Sequence, residues 1–149
     1  MLVGTACNRE VVVVERNASV SQAARLMRDF HVGDLVVVET QDGRRRPVGI
    51  LTDRDIVVGV LARDVDAASV AVQDVMGGEL ITATEDESLP DVVKRMRAAG
   101  VRRLPVVDRE GTLVGILTVD DLLDLLSETL NDLTRLVTRE LTREQRRRP

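Results

Sequence analysis

The chain contains no tryptophan, no tyrosine and one phenylalanine, Phe30, in 149 residues. Its core must therefore be aliphatic, and the π faces that stacking platforms for single-stranded nucleic acid require are missing. One cysteine, Cys7, cannot close an internal disulfide, which fits a reducing compartment. One histidine, His31, beside that single cysteine excludes a multi-histidine or His/Cys metal site. Neither a Ser/His/Asp set nor a Cys/His pair can be assembled around it, and no glycine-rich Walker loop occurs, so an enzyme is not expected. Lys94 is the only lysine among 21 basic residues, and the net charge of −4 provides no global basic field for nucleic acid or an anionic membrane. No run of 18 apolar residues is present, and "MLVGTACNRE" lacks a basic segment leading into an apolar one. A cytoplasmic protein without a membrane partner is expected.

What the chain does have is a duplication. "GILTDRD" at 49–55 returns as "GILTVDD" at 115–121, and an offset of 69 residues lays 3–38 over 72–107. Val3 meets Val72, Ser19 meets Ser88, Met27–Arg28 meets Met96–Arg97, and Val37–Val38 meets Val106–Val107. From Val48 the offset falls to 66, because the first copy spends three more residues in "TQDGRRRP". A unit of about 60 residues is too long for a solenoid repeat and suits two half-domains.

Within each unit the hydrophobic period changes in the same order. "EVVVVE" (10–15) and "ELITAT" (79–84) predict strands. Ser19 and Ser88 predict N-caps, Ser19 with Gln22 placed for a capping box. Ala23, Ala24, Met27 and Phe30 follow at helical spacing, as Val92, Val93 and Met96 do in the second copy. "DLVVVE" (34–39) and "LPVVD" (104–108) predict strands. A turn follows, short in "DREGTL" and longer in "TQDGRRRP". "PVGIL" and "LVGIL" return as strands that lead into helices at Thr52 and Thr118. The expected architecture is α+β: two β-α-β-β-α repeats facing each other by pseudo-twofold symmetry, with a pair of clefts between them. The division expected is repeat 1 over 1–62, a linker over 63–71, repeat 2 over 72–126 and a C-terminal extension over 127–149.

The duplicated element has two readings. In one, Thr52 and Thr118 are N-caps, and Asp55 and Asp121 sit in the first turn where a carboxylate favours the helix dipole. In the other, the same helix start offers N–H groups to a phosphate, the threonine hydroxyl donates to it, and the aspartate accepts ribose hydroxyls.

"HVGDLVVVE…PVGILTDRDIV" and "GVRRLPVVDREGTLVGILTVDDLL" resemble the two motifs of a tandem CBS-domain pair, or Bateman module, over roughly residues 3–126. The resemblance implies a stand-alone regulatory module that requires no cofactor. It implies binding of an adenosyl ligand such as AMP, ADP, ATP or S-adenosylmethionine between the repeats, and signalling to an unidentified partner protein. It carries over Thr52, Asp55, Thr118 and Asp121 as hydroxyl and ribose contacts. Arg102 and Arg103, just before the "LPVV" strand, are implied as phosphate ligands, a task that suits arginine. The first copy has Gly33–Asp34 there instead, so Arg54 is the candidate base for that site. Val12 and Ile81 are implied as the apolar slot for adenine. The alternative is a structural or dimerisation module whose clefts hold nothing. A third reading, nucleic-acid contact through "GRRR" (43–46) and the tail, is disfavoured by the charge balance.

Three features remain. His31, aligned with Gly100, falls at a helix end, where a cation suits the C-terminal dipole. Cys7, aligned with Met76, reads as a packed small hydrophobe. From Asp120 to about Arg143 neither glycine nor proline intervenes, and Leu122, Leu123, Leu126, Leu130, Leu133, Val137 and Leu141 form one stripe. That is a long amphipathic helix whose surplus apolar face implies a homodimer, followed by a solvated basic tail, "REQRRRP".

Overall fold

The computed structural model describes residues 1–148. A short opening helix, α1 (Val3–Ala6), leads into β1 (Val13–Glu15), α2 (Val20–Phe30), β2 (Asp34–Gln41), β3 (Arg44–Thr52) and α3 (Asp53–Gly59). The order then recurs as β4 (Ala83–Thr84), α4 (Leu89–Ala99), β5 (Arg103–Val107), β6 (Leu113–Thr118) and α5 (Val119–Arg147). The β-α-β-β-α unit expected twice is present twice. Each copy forms its own three-stranded sheet, the first strand parallel and the third antiparallel to the second. The irregularities repeat as well, with register shifts at the matched positions Val37/Val38 and Val106/Val107.

Local chemistry explains the element boundaries. At the start of α2 the Ser19 hydroxyl accepts from the Gln22 N–H and the Gln22 side chain accepts from the Ser19 N–H, which buries Val20, Ala23 and Met27 on one face. Ser88 holds the same position before α4, yet its side chain makes no capping bond. There Pro90 presets the first turn, and Glu87 receives the Thr84 N–H at 2.7 Å. His31 and Gly100 both end their helices with left-handed backbone, φ 53° and 68°.

The turn in "TQDGRRRP" is shorter than expected. Strands β2 and β3 run on to Gln41 and Arg44, and only Asp42–Gly43 turn, both at positive φ (52° and 75°). An Asp-Gly pair of that geometry matches strand twist in a two-residue hairpin, so the extra residues lengthen the strands.

The strands predicted over 10–15 and 79–84 are also shorter, pairing only at Val13–Glu15 and Ala83–Thr84. Upstream of them the chain leaves its own sheet and crosses to the other repeat. Asn8 exchanges two 2.9 Å backbone bonds with Ile116, and the Gly77 N–H donates to the Ile50 carbonyl.

The crossing is reciprocal. Leu2 bridges to Ser88, and Ala71 bridges to Ser19. Fully buried Val3 joins the core of Leu89, Val92, Met96, Leu104, Val106 and Leu117, whereas Val72 joins that of Val14, Ala23, Met27, Leu35 and Leu51. Each core is thus completed by the segment that precedes the other repeat in sequence, which is the pseudo-twofold relation in atomic terms. A third cluster, Val36, Val38 and Ile116, joins the two halves. Residues 67–71 are tied to the start of α2, since the Ser21 and Val20 N–H groups donate to Ala67 and Val70. Helix α5 runs unbroken from Val119 to Arg147, so the expected extension and most of the basic tail continue the last helix of repeat 2.

Candidate functional site: the cleft between the repeats

Strand β3 ends against the segment before repeat 2, and residue 49 must be small for that. A Cβ on Gly49 would stand 2.5 Å from Met76 Sδ. On the matched Gly115 it would stand 2.8 Å from the Asn8 carbonyl and 2.9 Å from Cys7 Sγ. The glycine of each "GILT" exists so that the other half's entry segment can lie on it. Cys7 is half-buried in that contact, and burial pushes its thiol pKa up, the opposite of nucleophile activation.

Thr52 and Asp55 close a reciprocal cap at the start of α3. The Asp55 N–H donates to Thr52 Oγ1 at 3.2 Å and the Thr52 N–H donates to Asp55 Oδ2 at 2.9 Å. The Asp53 N–H donates to the Gly33 carbonyl, and the Arg54 N–H to Asp53 Oδ1. The first three N–H groups of α3 therefore already have partners, Gly33, Asp53 and Thr52. What the cap leaves is the Thr52 hydroxyl as a donor and the second carboxylate oxygen of Asp55.

These two side chains line a cavity of about 380 Å³ together with Gly49, Ile50, the Gly77–Ile81 segment, Val101, Arg102 and Arg103. That volume lies in the range of small-ligand sites. The cavity joins repeat 1 to repeat 2, because the facing sheets set the start of β5 opposite the end of β3. The base facing Thr52 and Asp55 is thus the Arg102–Arg103 pair of the other repeat. Arg54 is exposed on α3 and is not among the lining residues. Arg103 pairs with Asp34 at 2.8 Å, both about seven-tenths buried. These two residues occupy the same position in their repeats, so the ion pair joins a residue to its own equivalent across the pseudo-twofold. The Nε of Arg103 is buried without a partner. Arg102 is exposed and only loosely tied to Asp120, at 3.9 Å.

The second copy is arranged differently. Thr118 accepts from the Asp121 N–H at 3.1 Å, without the return bond that Asp55 makes. Asp121 lines a separate groove of about 280 Å³ with Cys7, Asn8, Asp124 and Glu128, and no arginine is among its lining residues. Ile81 reaches the first cavity, whereas its counterpart Val12 packs at the margin of the first core. Of the nine candidate residues, Thr52, Asp55, Ile81, Arg102 and Arg103 converge. Thr118, Asp121, Val12 and Arg54 lie elsewhere. The glycines Gly77–Gly78 and the partner Asp34 were not among the candidates. The "GG" pair was a legible turn signal, and the alignment of Asp34 with Arg103 was legible as an opposite-charge match between the repeats.

A cleft of this kind between two such repeats defines a class of paired-repeat module, and comparison with known proteins specifies the family. The model of the CBS domain matches twice, over residues 3–61 and 72–128, and the chain belongs to the CBS domain family as a tandem pair. It is 35% identical over 123 residues to protein MK0525 of Methanopyrus kandleri, covering 83% of this chain but only 61% of that relative's length. Over 113 residues it is 38% identical to the CBS domain-containing protein YhcV of Bacillus subtilis, 76% of each chain. The crystal structure of the CBS domain pair of protein MJ0100, in complex with methylthioadenosine and S-adenosyl-L-methionine, superposes with a TM-score of 0.72 at 27% identity, covering 87% of this chain and 98% of that one. Among the described residues, no helix is long and apolar enough to cross a membrane.

Proposed function

We propose that this CBS pair is a regulatory sensor in which one adenosyl nucleotide occupies the cleft of Thr52, Asp55, Arg102 and Arg103. Its occupancy changes how a partner protein is engaged. The observation that carries the reading is the convergence of a capped Thr/Asp pair from one repeat with an arginine pair from the other. The free oxygen of Asp55 accepts ribose hydroxyls, the Thr52 hydroxyl donates, and Ile81 with Val101 provides an apolar wall for adenine. Arg102 swings from its loose contact onto a phosphate, and Arg103 offers its buried, unpartnered Nε. Guanidinium groups favour a phosphate-bearing ligand (AMP, ADP or ATP) over a cationic sulfonium. The adenosyl ligands of the MJ0100 complex support the class of compound.

Catalysis is not part of the proposal. The Thr52 hydroxyl and the Asp55 carboxylate are held in a mutual cap, a geometry for binding rather than for proton abstraction. Sensing requires that the ligand favour one of two states. The Asp34–Arg103 pair provides the element to bias, since a phosphate that recruits Arg103 loosens the tie across the pseudo-twofold.

Thermal unfolding with AMP, ADP, ATP, methylthioadenosine and S-adenosylmethionine tests this. A ligand at 100 times its Kd adds about 2.7 kcal/mol, a rise of roughly several degrees. The rise is expected to vanish in Asp55→Ala and to persist in Asp121→Ala. The same rise in both variants would overturn this site assignment, and no rise for any compound would favour a structural module with empty clefts.

A further inference from the structure

The last three-quarters of α5 leave their side chains exposed. From Leu126 to Arg147 every residue is exposed, and Leu126, Leu130, Leu133, Val137 and Leu141 are each more than half exposed along one face. A lone helix of this length is marginal in water unless its apolar face is covered.

Two patterns on that face identify the cover. Six apolar positions of that face, 122, 126, 130, 133, 137 and 141, are spaced 4, 4, 3, 4, 4, which reads identically from either end and centres between Asn131 and Asp132; Leu123 and Leu136 lie outside this pattern. The three positions of the first half recur after 11 residues, a period that winds packed helices into a right-handed supercoil. Charge divides at the same centre. From Val119 to Asp132 there are five acids (Asp120, Asp121, Asp124, Glu128, Asp132) and no base. From Leu133 to Arg148 there are six arginines and two glutamates. Among the described residues, none of those arginines forms an ion pair within the chain.

We propose that α5 pairs antiparallel with α5 of a second copy, about a twofold axis at Asn131/Asp132. The pairing sets Leu126 opposite the other copy's Val137 and Leu130 opposite its Leu133. Leu141 then reaches the apolar groove formed by Met1, Leu89, Val93 and Leu126. Over roughly 30 Å of helix, the acidic half of each copy lies beside the arginine half of the other, at an axial separation of about 8–10 Å. That is about one Debye length at roughly 0.1 M salt. A parallel pair would set five acids against five. A partner of other chemistry would have to match both the apolar palindrome and the charge reversal, which a second copy satisfies by symmetry. The hydroxyls of Thr129, Thr134, Thr138 and Thr142 bond back to carbonyls of their own helix, so covering them strands no polar group. The pairing does not depend on what occupies the ligand cleft.

The test uses the full chain in a Cys7→Ser background, carrying either Leu126→Cys or Val137→Cys. Under mild oxidation the equimolar mixture is expected to form an interchain disulfide, and each variant alone is not. Cross-linking of Leu126→Cys alone as readily as the mixture would overturn the orientation, and a monomer or an uncross-linked mixture would overturn the pairing. Charge reversal supplies a second readout that leaves the stripe intact. By sedimentation, Asp124→Arg with Glu128→Arg is expected to weaken the dimer roughly tenfold, and adding Arg135→Glu with Arg139→Glu to restore it. Tightening by the first pair, or no change, would refute the antiparallel arrangement.

Discussion

The two copies of "GILT" share a backbone and differ in what surrounds it. The first opens on a cleft closed from the other repeat by Arg102 and Arg103. The second opens on a groove lined by Asp121, Asp124 and Glu128, with no base among the lining residues. Facing assembly means that the arginines beside the first motif are written in the other repeat, whereas the carboxylates beside the second come from its own helix α5. Substituting one residue in the strand-entry pair (Asp34 in one copy, Arg103 in the other) therefore changes the opposite site. Like motifs came to sit in unlike surroundings, one with two arginines among the lining residues and one with three carboxylates.

The symmetry of the frame and the asymmetry of the sites can be separated by measurement. Leu51 and Leu117 are matched, fully buried residues in separate cores. Leu51→Ala and Leu117→Ala are each expected to lose about 3 kcal/mol in urea unfolding, and unequal losses would break the symmetry of the frame. The glycines differ by the hardness of what they touch. Gly115→Ala meets the Asn8 backbone carbonyl, which cannot move aside, and is expected to cost about 2 kcal/mol. Gly49→Ala meets the Met76 side chain, which can rotate away, and is expected to cost less than about 1 kcal/mol. The caps come next: Thr52→Ala, which breaks a reciprocal pair, should lose about 1 kcal/mol and Thr118→Ala about half that, by the same unfolding midpoints. An effect of similar size to the weaker cap is expected on binding. Asp34→Ala removes the carboxylate that holds Arg103 and is expected to tighten AMP binding roughly threefold by calorimetry, about 0.6 kcal/mol. A weakening instead would show that Asp34 positions Arg103 rather than competing for it.

Much of the fold could be read directly because periodicity and capping are local. Ser19 with Gln22 and Thr52 with Asp55 are three residues apart, and the helical spacing of Ala23, Met27, Val92 and Met96 needs no partner to be seen. The entry strands were overestimated because "EVVVVE" and "ELITAT" are apolar along their whole length. Their first residues are instead diverted to Ile116 and Ile50, a demand set by the far repeat. The candidate site was read one repeat at a time, which sent the search for a base to Arg54. In the fold, the guanidinium groups that line the cavity with Thr52 and Asp55 are those of Arg102 and Arg103. Nothing local distinguishes an arginine that serves its own repeat from one that serves the other.

The sequence by itself determined the number of repeats, the order of their elements, the aliphatic core and the amphipathic helix with its opposed charges. Each follows from interactions between residues close in the chain or from the spacing of apolar side chains. The tertiary structure decided which repeat completes which cleft. It also decided that Val3 and Val72 exchange cores, and that Asp34 finds Arg103 across the pseudo-twofold. Those outcomes depend on how two curved, apolar sheets pack face to face. That choice is made by contacts across the whole molecule and is recorded at no single position.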